Sequence, residues 1–447
     1  GVVAALVLAV TPITIAANRN NTMDSPQVLT SLLAAWAISL AAERGKLRWL
    51  LLCAFLVGVG FNIKMLQAVM VLPAFYLLYL IASPIAIWKR LIHLTLATIL
   101  LATVSLSWAV IVDMTPPEDR PFVGSSEDNT VMELIVGHNG AARLGALGQL
   151  IGLDTRGGPN QNQPPGPQGQ PPSGQFGPPP GGPPSNQQPP SGQFGPPPGG
   201  LPPNTQGQLP QGQQGGPVGP GPGGLGNETG DPGVLRLFNE QLGGQASWLL
   251  PLSALCLLAA ALQVKLGWPL SREHQGLLLW GAWLAPQVVF FSFAGLFHRY
   301  YLEMLSPAIA ALVGAGVAAM WRDYVEGNWR GWLLPVALLL GAASEAYILA
   351  AFPDWAMWLV PLVVGLTVIV AIALAALRLT SNYQLLITNL VTTVGLLALL
   401  IAPTIWSLTP LWAGGDVALP YAGPELLGRP QRPPQVMAAT PQVGGGQ

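Results

Sequence analysis

Arg48-Trp49-Leu50-Leu51-Leu52-Cys53-Ala54-Phe55-Leu56-Val57-Gly58-Val59-Gly60-Phe61-Asn62-Ile63-Lys64 carries a cation at each end and no charge between them. A run that is apolar on every face suits a helix in lipid, where each backbone N–H and C=O must be paired within the segment. A lipid-facing strand would instead alternate apolar and polar residues. Working outward from this stretch, eleven such runs appear, at 1–17, 26–42, 48–62, 65–82, 91–112, 247–265, 276–296, 301–320, 332–352, 356–377 and 384–407. Most approach the ~20 residues that cross ~30 Å of hydrocarbon, although the second, third and fourth are short. Composition agrees: 9% of residues are charged, 51% are hydrophobic and the mean hydropathy is +0.46, against about 25% charged in a soluble domain. The expected class is an all-α polytopic membrane protein. A net charge of −1 without a basic cluster gives no reason to expect a nucleic-acid partner.

Lys and Arg set the expected orientation. If the 41–48 turn is cytoplasmic, Arg44, Lys46, Arg48, Lys89, Arg90, Lys265, Arg272, Arg322, Arg330 and Arg378 all fall inside. The short outer turns then hold only Arg19, Lys64 and Arg299, three cations that need a reason to be there. The other six, Arg120, Arg143, Arg156, Arg236, Arg429 and Arg432, lie in the long outer loop and the outer tail, where the charge rule has little force.

The expected organisation is a first transmembrane group at 1–112, a folded part of the outer loop at 113–154, a disordered insert rich in Pro, Gly and Gln at 155–233, a loop return at 234–246, a second transmembrane group at 247–407 and an outer Pro/Gly-rich tail at 408–447. Within the insert, Pro171-Pro172-Ser173-Gly174-Gln175-Phe176-Gly177-Pro178-Pro179-Pro180 recurs at 189–198, and such a stretch has too few apolar groups to offset its ordering entropy. Gly1 opens directly into an apolar run, so the chain reads as a piece without its start, with a further outer domain missing after its tail. Cys53 and Cys256 fall inside spans and read as small buried residues, with neither a disulfide nor a metal site indicated.

The outer turns concentrate the polar chemistry. Asn18 to Pro26 packs Asn, Arg and Asp against the membrane edge, where they are costly unless paired or working. Asp24 reads either as the N-cap of the following span, with Pro26 in its first turn, or as a functional carboxylate. Lys64 either snorkels to the headgroups or holds a phosphate. His298-Arg299-Tyr300-Tyr301 places an imidazole, a guanidinium and two phenols at the start of one span, which favours an anion site. Together these turns suggest a cavity that receives an anionic lipid-linked substrate from the outer leaflet. A rival reading is a transporter or flippase, which should show internal repeats and ionisable residues near mid-span.

Asn20 to Pro26, Lys64 to Gln67 with Val71-Leu72-Pro73-Ala74, Arg120 to Gly124 with Asp128-Asn129 and Gly137 to Gly140, Gly243-Gly244-Gln245 before Trp248 to Pro251, and His298 to Tyr301 before Leu305 to Ala308 form an ordered set of five motifs. The set resembles bacterial members of glycosyltransferase family 39, which also contains protein O-mannosyltransferases and the aminoarabinose transferases of lipid A. The resemblance spans about 1–412 apart from the insert. It implies a GT-C fold and an inverting transfer of a pentose or hexose from a polyprenyl-phosphate donor to a protein, lipid or glycan acceptor at the outer face of the plasma membrane, with no cofactor. It further implies Asp24 beside the reacting carbon, Lys64, Arg299, His298 and Tyr301 on the donor phosphate, and Arg19, Asn21, Gln67, Asn139 and Gln245 lining the substrate. Asn139-Gly140 also reads as an ordinary turn. The chain departs from the family in three ways. Its main acidic motif should precede residue 1, which implies that this piece alone is inactive. His138 stands where an aromatic is expected, and Arg299 where Pro is common.

Overall fold

In a computed structural model, residues 1–141, 226–263, 267–295, 297–380, 385–416 and 418–428 are described. The apolar runs become helices: α1 (Val2–Ala9), α2 (Pro12–Arg19), α3 (Asp24–Arg44), α4 (Leu47–Ile63), α5 (Met65–Val69), α6 (Leu72–Ala82), α7 (Ile87–Asp113), α8 (Leu250–Gln263), α9 (Arg272–Phe293), α10 (Ser306–Val325), α11 (Leu333–Leu349), α12 (Pro353–Leu379), α13 (Leu385–Ala398) and α14 (Ile401–Ala413). No strand occurs among the described residues, and the chain is an all-α polytopic membrane protein. Most of the expected insert and the tail beyond 428 lie outside the described residues.

Seven helical stretches among the described residues are long and apolar enough to cross a membrane, and nine if each of two bent pairs is one span. The eleven expected runs are therefore present as helix, but not all as full spans. The run 1–17 is broken between α1 and α2, which meet at 61°, where Pro12 starts a new helix. The run 384–407 bends by 42° between α13 and α14. The run 48–62 gives the 17-residue α4, about 25 Å long at 1.5 Å per residue. It stops because Lys64 turns extended, with φ −153° and ψ 96°.

One large cluster of buried side chains joins nearly all these helices, and many Leu, Ile and Trp remain exposed, among them Ile99, Trp108, Ile369 and Leu386. Such a surface suits hydrocarbon and would be a liability in water. Small residues set the closest approaches, as in many membrane bundles. A Cβ on Gly316 of α10 would run into the Cβ and Cα of Cys256 on α8. Both cysteines are buried and free.

The two ends of the bundle differ. At one end lies the turn after α3, where Glu43 meets Arg272 at 3.2 Å. The basic residues here do structural work beyond marking orientation. Arg90 is buried and donates to the carbonyls of Leu80 (2.6 Å), Ile81 (3.2 Å) and Ile85 (2.7 Å), closing the C-terminus of α6. Arg378 donates to the Tyr324 and Asn328 carbonyls.

The other end carries the polar turns. After α7 the chain folds back on itself: both Asp113 carboxylate oxygens accept from the amides of Val131 (2.7 Å) and Met132 (3.0 Å), and Arg120 donates to the carbonyls of Asp113 and Thr115. Val123 and Val131 pack on Ala109 and Val112 as a second small core. In this turn the Thr130 hydroxyl holds the exposed Asp128 carboxyl below its ordinary range. A π-helical turn, Leu134–Ala141, follows.

Candidate functional site

Four sequence-distant turns meet where α2 joins α3, α4 joins α5, a short helix spans Gly243–Ala246, and a 3-10 turn spans Arg299–Leu305. The Lys64 ammonium sits 2.6 Å from Asp24 Oδ1, with side-chain exposures of 11% and 2%. It also lies 3.7 Å from the ring centroid of Tyr301 and 4.6 Å from that of Tyr300, close enough for cation–π attraction on both. Asp24 is thus the first residue of α3 but makes no side-chain cap there, so its N-cap reading fails: the carboxyl turns to Lys64 instead.

Glu303 stands within electrostatic reach of Asp24 and Lys64. Its Oε1 accepts from Asn18 Nδ2 at 2.9 Å. Glu303 Oε2 and Asp24 Oδ2 are buried and have no hydrogen-bond partner among the described residues. Two carboxyl groups and one ammonium meet here, and the unpartnered Glu303 Oε2 and Asp24 Oδ2 can each pair with a group such as a hydroxyl. Gln67 is buried beside Asp24.

The remaining cations are also paired. His298 Nδ1 lies 2.9 Å from Glu228 Oε2, and Arg299 takes the Glu228 carbonyl through Nε at 2.8 Å and Glu425 Oε2 through Nη1 at 3.2 Å. Arg299 also stacks 4.7 Å from the Tyr421 centroid, and the His298 ring stacks on Tyr300 at 5.4 Å. Each of the three nitrogen-bearing side chains expected on the phosphate therefore rests against a carboxyl group, Lys64 on Asp24, Arg299 on Glu425 and His298 on Glu228. They are aligned by those partners, and an incoming phosphate must replace or share them.

Among the residues expected to line the substrate, Gln245 is buried and exchanges two hydrogen bonds with the backbone of Ala422, at 2.7 and 3.0 Å. Arg19 donates to the Pro410 carbonyl, and its neighbour Asn20 to the Asp416 carbonyl at 2.8 Å. These two positions tie the 410–422 segment to the site and do not face Asp24. Asn21 stays exposed on the turn, and the Asn139 side chain lies outside the described residues.

Several participants escaped the sequence reading. Glu228 and Thr229 were expected inside the disordered insert, yet they follow Gly226 into a short helical turn. There Thr229 is buried, and its backbone carbonyl and hydroxyl both accept from Arg236. Residues 226–233, expected within the insert, thus belong to the described structure. Glu425 and Tyr421 belong to a stretch expected to be a plain tail. The available signal was the return of charge after the Pro/Gly-rich stretches, Glu228 with Asp231 and Arg236 on one side and Glu425 on the other. Glu303 was quoted with its motif but given no role. Among the described residues no group of three or more His, Cys, Asp or Glu side chains could hold a metal ion.

Comparison with known proteins adds two findings. A family model described as dolichyl-phosphate-mannose-protein mannosyltransferase matches residues 1–108. Two proteins of Bacillus subtilis (strain 168), named "Putative mannosyltransferase YkcB" and "Putative mannosyltransferase YycA", are each 42% identical over 95% of this chain. The alignments cover 62% and 63% of those proteins, so the chain spans less than two thirds of the curated relatives it matches. No solved structure matches the chain.

Proposed function

We propose, from the match of residues 1–108 to a mannosyltransferase family model and the 42% identity to two proteins named putative mannosyltransferases, that the chain is a glycosyltransferase family 39-like GT-C membrane transferase that moves a sugar from a polyprenyl-phosphate donor to an acceptor hydroxyl at the outer face of the plasma membrane. The observation that carries this reading is the convergence of Asp24, Lys64, Glu303 and the His298–Tyr301 aromatics, brought from three turns into one cluster.

In such a transfer the acceptor oxygen attacks the anomeric carbon, the bond from that carbon to the phosphate oxygen breaks with its electron pair going to phosphate, and the hydroxyl proton leaves for a base. Lys64, with Arg299 and His298 nearby, takes the charge developing on the phosphate. Tyr301 fixes the ammonium under its ring. As phosphate draws Lys64 toward itself, Asp24 Oδ1 loses its partner and becomes the better proton acceptor or hydroxyl anchor. The chain spans less than two thirds of its relatives' length, so the assay uses the longest available form of the protein. Gln245, Arg19 and Asn20 serve by holding the 410–422 segment to the site, and Gln67 stands beside Asp24.

The test is release of polyprenyl phosphate by that protein in detergent, with radiolabelled polyprenyl-phosphate sugars and envelope acceptors. Arg299→Ala is expected to lower donor use by about 10²-fold, the scale for removing one donor to a developing oxyanion. Full turnover in this variant would remove Arg299 from the phosphate site. One observation favours a carrier as second reading: Glu345 on α11 is fully buried, with neither oxygen hydrogen-bonded. It lies one turn from the end of α11 at which Ile348 packs against Gly243. Movement of the lipid without cleavage would favour that reading.

A further inference from the structure

At the end of the bundle opposite the candidate site, two apolar cavities open side by side. One, of about 500 Å³, lies between α8, α9 and α10; Ala260, Gly276, Ala315 and Ala318 form its floor, and Trp280 and Trp321 its walls. Arg272 and Arg322 stand at its mouth, with Glu273 beside them. The other, of about 650 Å³, lies between α6, α8 and α9 and includes Leu257, Trp268 and His274. Leu277 lines both, so the two grooves run down either side of one ridge on α9.

We propose that these paired grooves bind one anionic two-chain phospholipid of the leaflet at this end, an acyl chain in each groove and the phosphate between Arg272 and Arg322. Three observations select this occupant. The grooves are cut into helices that face hydrocarbon, and Ala315 and Ala318 are exposed there. A Cβ on Gly276 would meet open space, so the groove floor is accessible. The mouth carries two guanidiniums that keep donors outward: among the described residues, Arg272 pairs with Glu43 and its side chain is 82% exposed, and Arg322 makes one long contact of 3.4 Å to Gln263. Glu43 and Glu273 are the acidic neighbours, and Arg44 joins from the adjoining cavity. That leaves a surplus of positive charge, and basic pockets between membrane helices favour anionic headgroups.

The experiment is native mass spectrometry of the full chain in detergent, titrated with phosphatidylglycerol or with phosphatidylcholine of the same acyl chains. The phosphatidylglycerol complex is expected to form at about tenfold lower concentration. This preference should vanish in Arg272→Gln/Arg322→Gln. Gly276→Leu should weaken binding of both lipids by filling the groove while leaving the preference intact. Equal binding of the two lipids by the unaltered chain, or an undiminished preference in the double variant, would overturn the proposal. Should a variant not yield a monodisperse protein, the preference of the unaltered chain must still shrink as salt is raised to 0.5 M, because exposed guanidiniums are screened; a preference indifferent to salt also overturns it.

Discussion

Lys64→Ala is expected to abolish detectable transfer and to lower stability together. The substitution leaves the Asp24 carboxylate 2% exposed with its hydrogen-bond donor gone. Breaking a buried pair from one side costs about 3–5 kcal/mol, a large part of the 5–15 kcal/mol that holds a typical domain. It also removes the ammonium held on the Tyr300 and Tyr301 rings. The two consequences separate in Lys64→Ala/Asp24→Asn, where the carboxylate that lost its partner is itself removed. Thermal unfolding in detergent should recover most of its midpoint in the double variant, while release of polyprenyl phosphate stays at least about 10²-fold down. A single variant that unfolds and turns over like the parent would show that the pair is an incidental contact.

The largest purely structural effect is expected at Gly316. Its Cβ position is already occupied by Cys256, so Gly316→Leu must drive α8 and α10 apart along an interface in which Leu312, Val313, Val317 and Cys256 are buried. Overpacking a well-filled core costs about 1–3 kcal/mol, and here the obstacle is backbone as well as side chain. The expected result is loss of the monodisperse peak on size exclusion. Gly365→Leu, on a surface where a Cβ meets nothing, should keep it. Equal behaviour of the two variants would mean that the α8–α10 contact is looser than its geometry says.

Much of the architecture was readable because it depends on local composition: an apolar run must satisfy its own backbone in lipid, whatever its neighbours do. The breaks were harder. Nothing in the run 1–17 except Pro12 announces the 61° turn, and an N-terminal proline is equally at home in a straight helix start. Arg90 illustrates a further limit. Its position suggested a charge marking the cytoplasmic side, yet its guanidinium is spent on three carbonyls of the preceding turn.

In the candidate site, Asp24, Lys64 and Tyr301 stood out because polar groups at a membrane edge are expensive. Their mutual pairing did not, since it joins positions 40 residues apart. Glu228 and Glu425 were hidden for a related reason. The Pro- and Gly-rich composition around them describes the neighbouring residues, whereas their order comes from Arg299, 71 and 126 residues away.

Gln245 and the Ala422 backbone form a two-way amide clasp across 177 residues of chain, and Thr409 receives the next amide, from Gly423, at 2.8 Å. Amides in a loop of this kind would ordinarily trade their protons with solvent within moments. Held this way, the Ala422 and Gly423 protons can leave only when the clasp opens, so in heavy water they should persist alongside helical amides. Their exchange rate would then serve as a clock for the opening of the segment tied to the site, readable without any substrate.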